Sequence, residues 1–72
     1  MTRIERVYIK NINVDEGHLH DSLVAILGDD FVLNWSTYTF QDVVLSDYHK
    51  LLDLKNEFES EGNFVMISTG GL

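Results

Sequence analysis

The chain has 72 residues, 44% hydrophobic and 24% charged, the balance of one small globular domain rather than of a disordered segment. It contains no cysteine, which excludes disulfide staples and thiolate metal sites. Twelve acidic side chains against five basic ones give a net charge of −7, which argues against direct binding to nucleic acid or to an anionic membrane surface.

No apolar run approaches the ~20 residues of a membrane span, and Met1-Thr2-Arg3-Ile4-Glu5-Arg6 leads into no signal-peptide core, so a cytoplasmic protein without a membrane partner is expected. Chains below about 70–80 residues usually need a staple or a partner. Tight packing of a generous aromatic set, or pairing as a homodimer, are the routes left open here. The charge is uneven. Residues 1–10 hold Arg3, Arg6 and Lys10 against Glu5, whereas residues 11–72 hold eleven acids against Lys50 and Lys55. Part of the first strand is expected to form a basic edge beside an acidic body.

Residues 3–14 alternate imperfectly and are rich in β-branched side chains, which reads as a strand. Val7 and Ile9 share one face and Tyr8 and Ile12 the other, a two-sided apolar character that suits a central strand. Asp15-Glu16-Gly17-His18 opens a helix with its acids at the positive end of the dipole. Leu19, Leu23, Ile26 and Leu27 fall on one helical face, and Gly28 is placed to end the helix.

Phe31 to Leu45 is too long for one strand. Either the chain turns near Ser36-Thr37 and returns through Tyr38–Val44, or a helical turn opens at Thr39-Phe40-Gln41-Asp42. The first reading is preferred because Val43 and Val44 are stiff in a helix. Ser46 is the expected N-cap of a second helix from Asp47 to Glu61, closed by Gly62, with Tyr48, Leu51, Leu52 and Phe58 inward. Residues 63–68 form a last strand, and residues 69–72 a flexible tail.

The order strand, helix, strand, strand, helix, strand predicts an α+β two-layer sandwich in a single domain, 1–72. Two helices would cover one face of a four-stranded antiparallel sheet, the ferredoxin-like βαββαβ arrangement. Without the third strand, a three-stranded βαβαβ layer is the alternative.

Chemistry-bearing clusters are few. His18 and His20 lie two apart, diverging by ~200° on a helix, and lack the i, i+4 spacing of helical zinc pairs, so no metal site is expected. His18, Asp21 and Ser22 suggest a nucleophile and base, but Asp21 points away from that pair and no strained nucleophile elbow exists. No catalytic residue and no cofactor is assigned.

Two features carry more. Asp53, Glu57 and Glu61 recur at i, i+4 and i+8 on the second helix, with Glu59 beside them, where like charges work against the helix. An acidic stripe held at that cost suits a basic surface on another protein. The second feature is aromatic. If Phe31 and Leu33 face the helices, Trp35 joins them in the core, whereas a turn at Ser36-Thr37 would aim Trp35 or Tyr38 outward as an interface anchor. Asp53, Glu57, Glu59, Glu61, Trp35 and Tyr38 are therefore the expected partner-binding residues.

The function expected is a small acidic modulator or inhibitor, whose target surface includes the nucleic-acid cleft of an enzyme. Alanine occurs once, at Ala25, and proline never, a usage that suits a compact viral accessory protein. Asp15-Glu16-Gly17-His18-Leu19 resembles the small-molecule-binding loop of ACT regulatory domains over five residues. That likeness implies the alternative, a regulatory module acting as a dimer with effector sites near those residues. Thr69-Gly70-Gly71-Leu72 resembles the diglycine ends of ubiquitin-like proteins, but a single strand precedes the first helix here and Leu72 follows the glycines.

Overall fold

The computed structural model describes residues 2–70. Its elements are β1 (Arg3–Asn11), α1 (Glu16–Leu27), β2 (Val32–Asn34), β3 (Thr37–Val44), α2 (Leu45–Ser60) and β4 (Val65–Gly70). The strands form one antiparallel sheet in the order β2-β3-β1-β4, and both helices pack on one face. This is the two-layer α+β sandwich of ferredoxin-like topology, with the β2–β3 hairpin present.

β1 is central, paired with β3 on one side and β4 on the other. The basic segment is therefore an interior strand and not an edge. Arg6 and Lys10 lie on the sheet's open face beside Tyr8. Val7 and Ile9 point the other way, into a core that also holds Tyr38, Phe40, Val43, Leu19, Leu23, Leu51, Phe58 and Val65. The α1 face is the one its periodicity dictates, with Leu19 and Leu23 buried and Ile26 and Leu27 packed against them. On α2, Leu54 joins the packing and Leu52 stays at its margin.

Period-two alternation breaks once, at matching places in two strands. Ile4 and Val7 both face the core although three residues apart, and so do Phe40 and Val43. Ile4 pairs with Val43 and Val7 with Phe40, so β1 and β3 switch faces together across Glu5 and Asp42. Asp42 absorbs the switch with φ at +53°, a left-handed conformation uncommon outside glycine. The hydrogen bonds register the same shift: the Asn11 N–H donates to Ser36 O at 3.0 Å, and the Leu45 N–H donates to Thr2 O at 3.1 Å.

Helix boundaries follow their caps. The Asp15 carboxylate accepts the His18 N–H at 3.1 Å, and the Gly28 N–H returns to Val24 O at 2.9 Å. At the end of α2 the Gly62 N–H donates to Glu59 O and the Asn63 N–H to Phe58 O, a Schellman closure with Gly62 at φ +83°. The start of α2 departs from expectation. β3 runs into Leu45 without a loop, Val44 occupies the cap position with no side-chain bond, and Ser46 is inside the first turn. The Thr2 carbonyl takes up one of the free helix N–H groups in place of a capping side chain.

β4 continues past the expected end. Thr69 pairs with Val7 and Gly70 with Arg6, so these two residues belong to the sheet and not to a tail, while residues 71 and 72 lie outside the described part. Gly70 suits its place because a Cβ there would sit 3.0 Å from the Tyr8 ring.

Candidate functional site

The charges separate by layer. Strands carry Arg3, Glu5, Arg6, Lys10 and Asp42; the helices and their flanking loops carry the other ten acids against Lys50 and Lys55. At the helix starts the acids do local work. Asp15 caps α1, Glu16 lies in its first turn, and Asp47 lies in the first turn of α2, all at the positive dipole end.

Further along α2 that compensation ends. Asp53 and Glu57 are exposed one turn apart, and Glu61 follows at the C-cap, where the dipole disfavours an acid. None of the three forms an ion pair among the described residues, where the pairs are Lys50 with Asp47 at 3.8 Å and Lys55 with Glu59. Glu59, half-buried and neutralised by Lys55, is thus the member of the expected set that lies outside the free stripe.

The two aromatic residues have opposite fates. Trp35 is 91% exposed at the two-residue turn between Asn34 and Thr37, with φ at +60°. That positive φ at the first turn position matches the twist hairpins require, a place usually given to glycine. Tyr38 is 1% exposed, in the core between Phe31, Phe40 and the helices, and so offers no contact surface. β3 turns it inward because Tyr38 pairs with Ile9, whose side chain faces the helices. Burial raises the Tyr38 phenol above its ordinary value of 10.0, and the negative charge of Glu16 adds to the shift.

Trp35 and the end of the acidic stripe lie toward the same end of the sheet, on either side of the segment that follows β1. The Asn11 N–H bonds to Ser36 O beside Trp35, and the Asn13 amide donates to Gly62 O beside Glu61 at 3.3 Å. The short segment from Asn11 to Asn13 therefore separates an exposed indole from an unpaired carboxylate. Asp53 lies about 12 Å further back along α2, at 1.5 Å of rise per residue.

The histidines take structural positions. The His18 ring sits edge-on to Phe58 at 5.5 Å and the His20 ring edge-on to Phe31 at 5.4 Å, so the two diverge onto different neighbours. No group of three or more metal-ligand side chains gathers among the described residues. Asp15 to Leu19 are absorbed into the α1 cap and first turn rather than forming an open loop.

One feature was not singled out from the sequence. The switch at Glu5 and Asp42 leaves a shallow hollow of about 470 Å³ lined by Arg3, Glu5, Arg6, Gln41 and Asp42. The Arg3 guanidinium donates to the Asp42 carbonyl at 3.2 Å across its rim. Its signal was the three-residue spacing Ile4–Val7 and Phe40–Val43, which breaks both strand patterns. The hollow is wide and carries both signs of charge.

No helix among the described residues is long and apolar enough to cross a membrane. No family model matches the chain, and neither a curated protein nor a solved structure matches it.

Proposed function

We propose that the chain is a non-catalytic binding module that presents its acidic helical layer to a basic surface on another protein, acting there as a modulator or inhibitor. The observation that carries this reading is the row Asp53, Glu57 and Glu61. These three acids are exposed, free of ion pairs among the described residues, and placed where they oppose the stability of their own helix. Charge set against the fold has a use elsewhere, and a cationic partner surface supplies it. The nucleic-acid cleft of an enzyme is the sharpest form of such a surface, since it already concentrates positive charge and draws anions by long-range steering. Trp35 adds an apolar anchor at the Glu61 end of the stripe. A cytoplasmic setting accords with the absence of cysteine.

The test compares the natural chain with the D53N/E57Q/E61Q variant. Each is immobilised and used to capture proteins from host lysate at low and high salt, and the captured partner is then purified and its affinity measured. Binding that weakens steeply with salt and is lost in the variant supports the proposal. Binding of equal strength to the variant sinks it.

A further inference from the structure

β4 closes one side of the sheet, with its outer edge unpaired among the described residues. The Phe64 carbonyl accepts the Ile12 N–H at 3.1 Å, on the β1 side. Alternation then aims the backbone groups of Met66, Ser68 and Gly70 at β1, and those of Val65, Ile67 and Thr69 away from the sheet. Soluble proteins blunt such edges with charge, proline, a bulge or brevity. β4 uses none of these. It is six residues long, and residues 62–70 include no charged side chain and no proline. The opposite edge is blunted: β2 has three residues and follows Asp29 and Asp30. Beside the β4 edge, Ile12, Phe64 and Met66 are 52%, 48% and 61% exposed.

We infer that β4 pairs with the β4 of a second copy, antiparallel about Ile67, so that one sheet runs through both copies with every helix on the same face. That register uses all three outward residues: Ile67 meets Ile67 of the second copy, and Val65 meets Thr69 of the second copy. The occupant is chosen by charge. Two chains of net charge −7 repel, and they approach at least cost where acids are missing. Ten of the twelve acids lie in the helical layer and its loops, while the β4 edge has none. An uncharged edge is matched by its own uncharged two-fold image and gives a charged foreign strand nothing to hold. Ile67 is half-buried at the margin of the core, so self-pairing continues the apolar layer from one copy into the next. A chain of this size without a disulfide gains most from such an extension.

Salt separates this inference from the proposed function. Screening relieves repulsion between two acidic copies and tightens the dimer, whereas it weakens attraction to a basic partner. Sedimentation equilibrium over a concentration series at low and high salt reads the first effect. Amide exchange of the unaltered chain reads the edge. Two variants report on it as well. T69P removes an outward N–H at an exposed residue without touching the β1–β4 ladder. M66E/S68E places carboxylates on exposed positions around the two-fold axis.

The expected result is a dimer that tightens with salt, slow exchange at Val65, Ile67 and Thr69, and dimerisation weakened about tenfold or more in both variants, with far-ultraviolet spectra unchanged. A monomer at every concentration and salt overturns the inference. So does a dimer whose three edge amides exchange as free groups, or protection of those amides that arises only when another protein is added. Should either variant fail to fold, exchange in the unaltered chain decides.

Discussion

The Asn13 side-chain oxygen accepts the Phe64 N–H at 2.6 Å, joining residues 51 positions apart. The same side chain donates to Gly62 O, so Asn13 fastens the loop after β1 to the turn that leads from α2 into β4. Asn11 works beside it, bonding to both the N–H and the carbonyl of Val14 at 2.8 Å and shaping the turn that brings Asn13 into place.

Asn13→Ala is therefore expected to lower stability by about 1 kcal/mol, the net worth of an exposed side-chain hydrogen bond pair. In a domain of this length that is a fall of roughly 4–8 °C in Tm. Thermal unfolding followed by circular dichroism checks it, and an unchanged midpoint would show the clamp to be idle.

Neutralising the α2 stripe should separate stability from binding. In D53N/E57Q/E61Q two repulsive i, i+4 contacts disappear, each worth about 0.2–0.5 kcal/mol. The unfolding midpoint in urea is expected to rise slightly at low salt and to converge with the natural chain at high salt. A variant less stable than its parent would mean that the acids support the helix after all.

The buried phenol of Tyr38 fixes the sign of an alkaline transition. Burial, with the smaller contribution of Glu16, raises its folded value above the ordinary 10.0. The fold therefore holds this proton more tightly than the unfolded chain does. The associated stability is complete below the unfolded value and is lost as pH climbs through the folded one. Urea midpoints are expected to fall on that alkaline limb, and to fall less in Tyr38→Phe, which has no proton to release. An identical limb in both proteins would remove Tyr38 as its cause.

Trp35 is expected to matter little to folding. Trp35→Gly relieves a left-handed strain of about 1–2 kcal/mol and incurs about 0.5–1 kcal/mol of added chain entropy. The net change is small and leans toward stabilisation. The indole of the natural chain should emit as a solvated group and be quenched freely by acrylamide, and its removal should weaken partner capture. A large loss of stability in Trp35→Gly would place the indole in the fold rather than at an interface.

Periodicity carried most of the architecture. Leu19, Leu23, Leu51 and Phe58 repeat at helical spacing, and burial follows that spacing because a helix of this kind has one face to hide. Junctions were harder to read. The turn at Trp35-Ser36 contains neither glycine nor asparagine, so its tip has no local signature, and the outward aim of Trp35 with the inward aim of Tyr38 depends on a register set by Ile9. The start of α2 was masked by Val43 and Val44, strand residues that run straight into a helix whose first N–H is satisfied from the other end of the chain, by Thr2. Gly70 looked like a tail because its reason for being in a strand, the Tyr8 ring beside it, is a tertiary neighbour. The acidic stripe was legible from spacing alone, but the withdrawal of Glu59 into its pair with Lys55 required the side-chain geometry.

The division of charge between the layers has a dynamic consequence. A body with most of its acids in the helical layer and Arg3, Arg6 and Lys10 on the sheet carries a permanent electric moment between the two layers. In the field of a cationic surface it experiences a torque before contact, and rotates until the helices lead. If the helical layer is the docking face, as proposed, collisions begin close to the productive orientation, which shortens the rotational search that ordinarily slows docking of two specific patches.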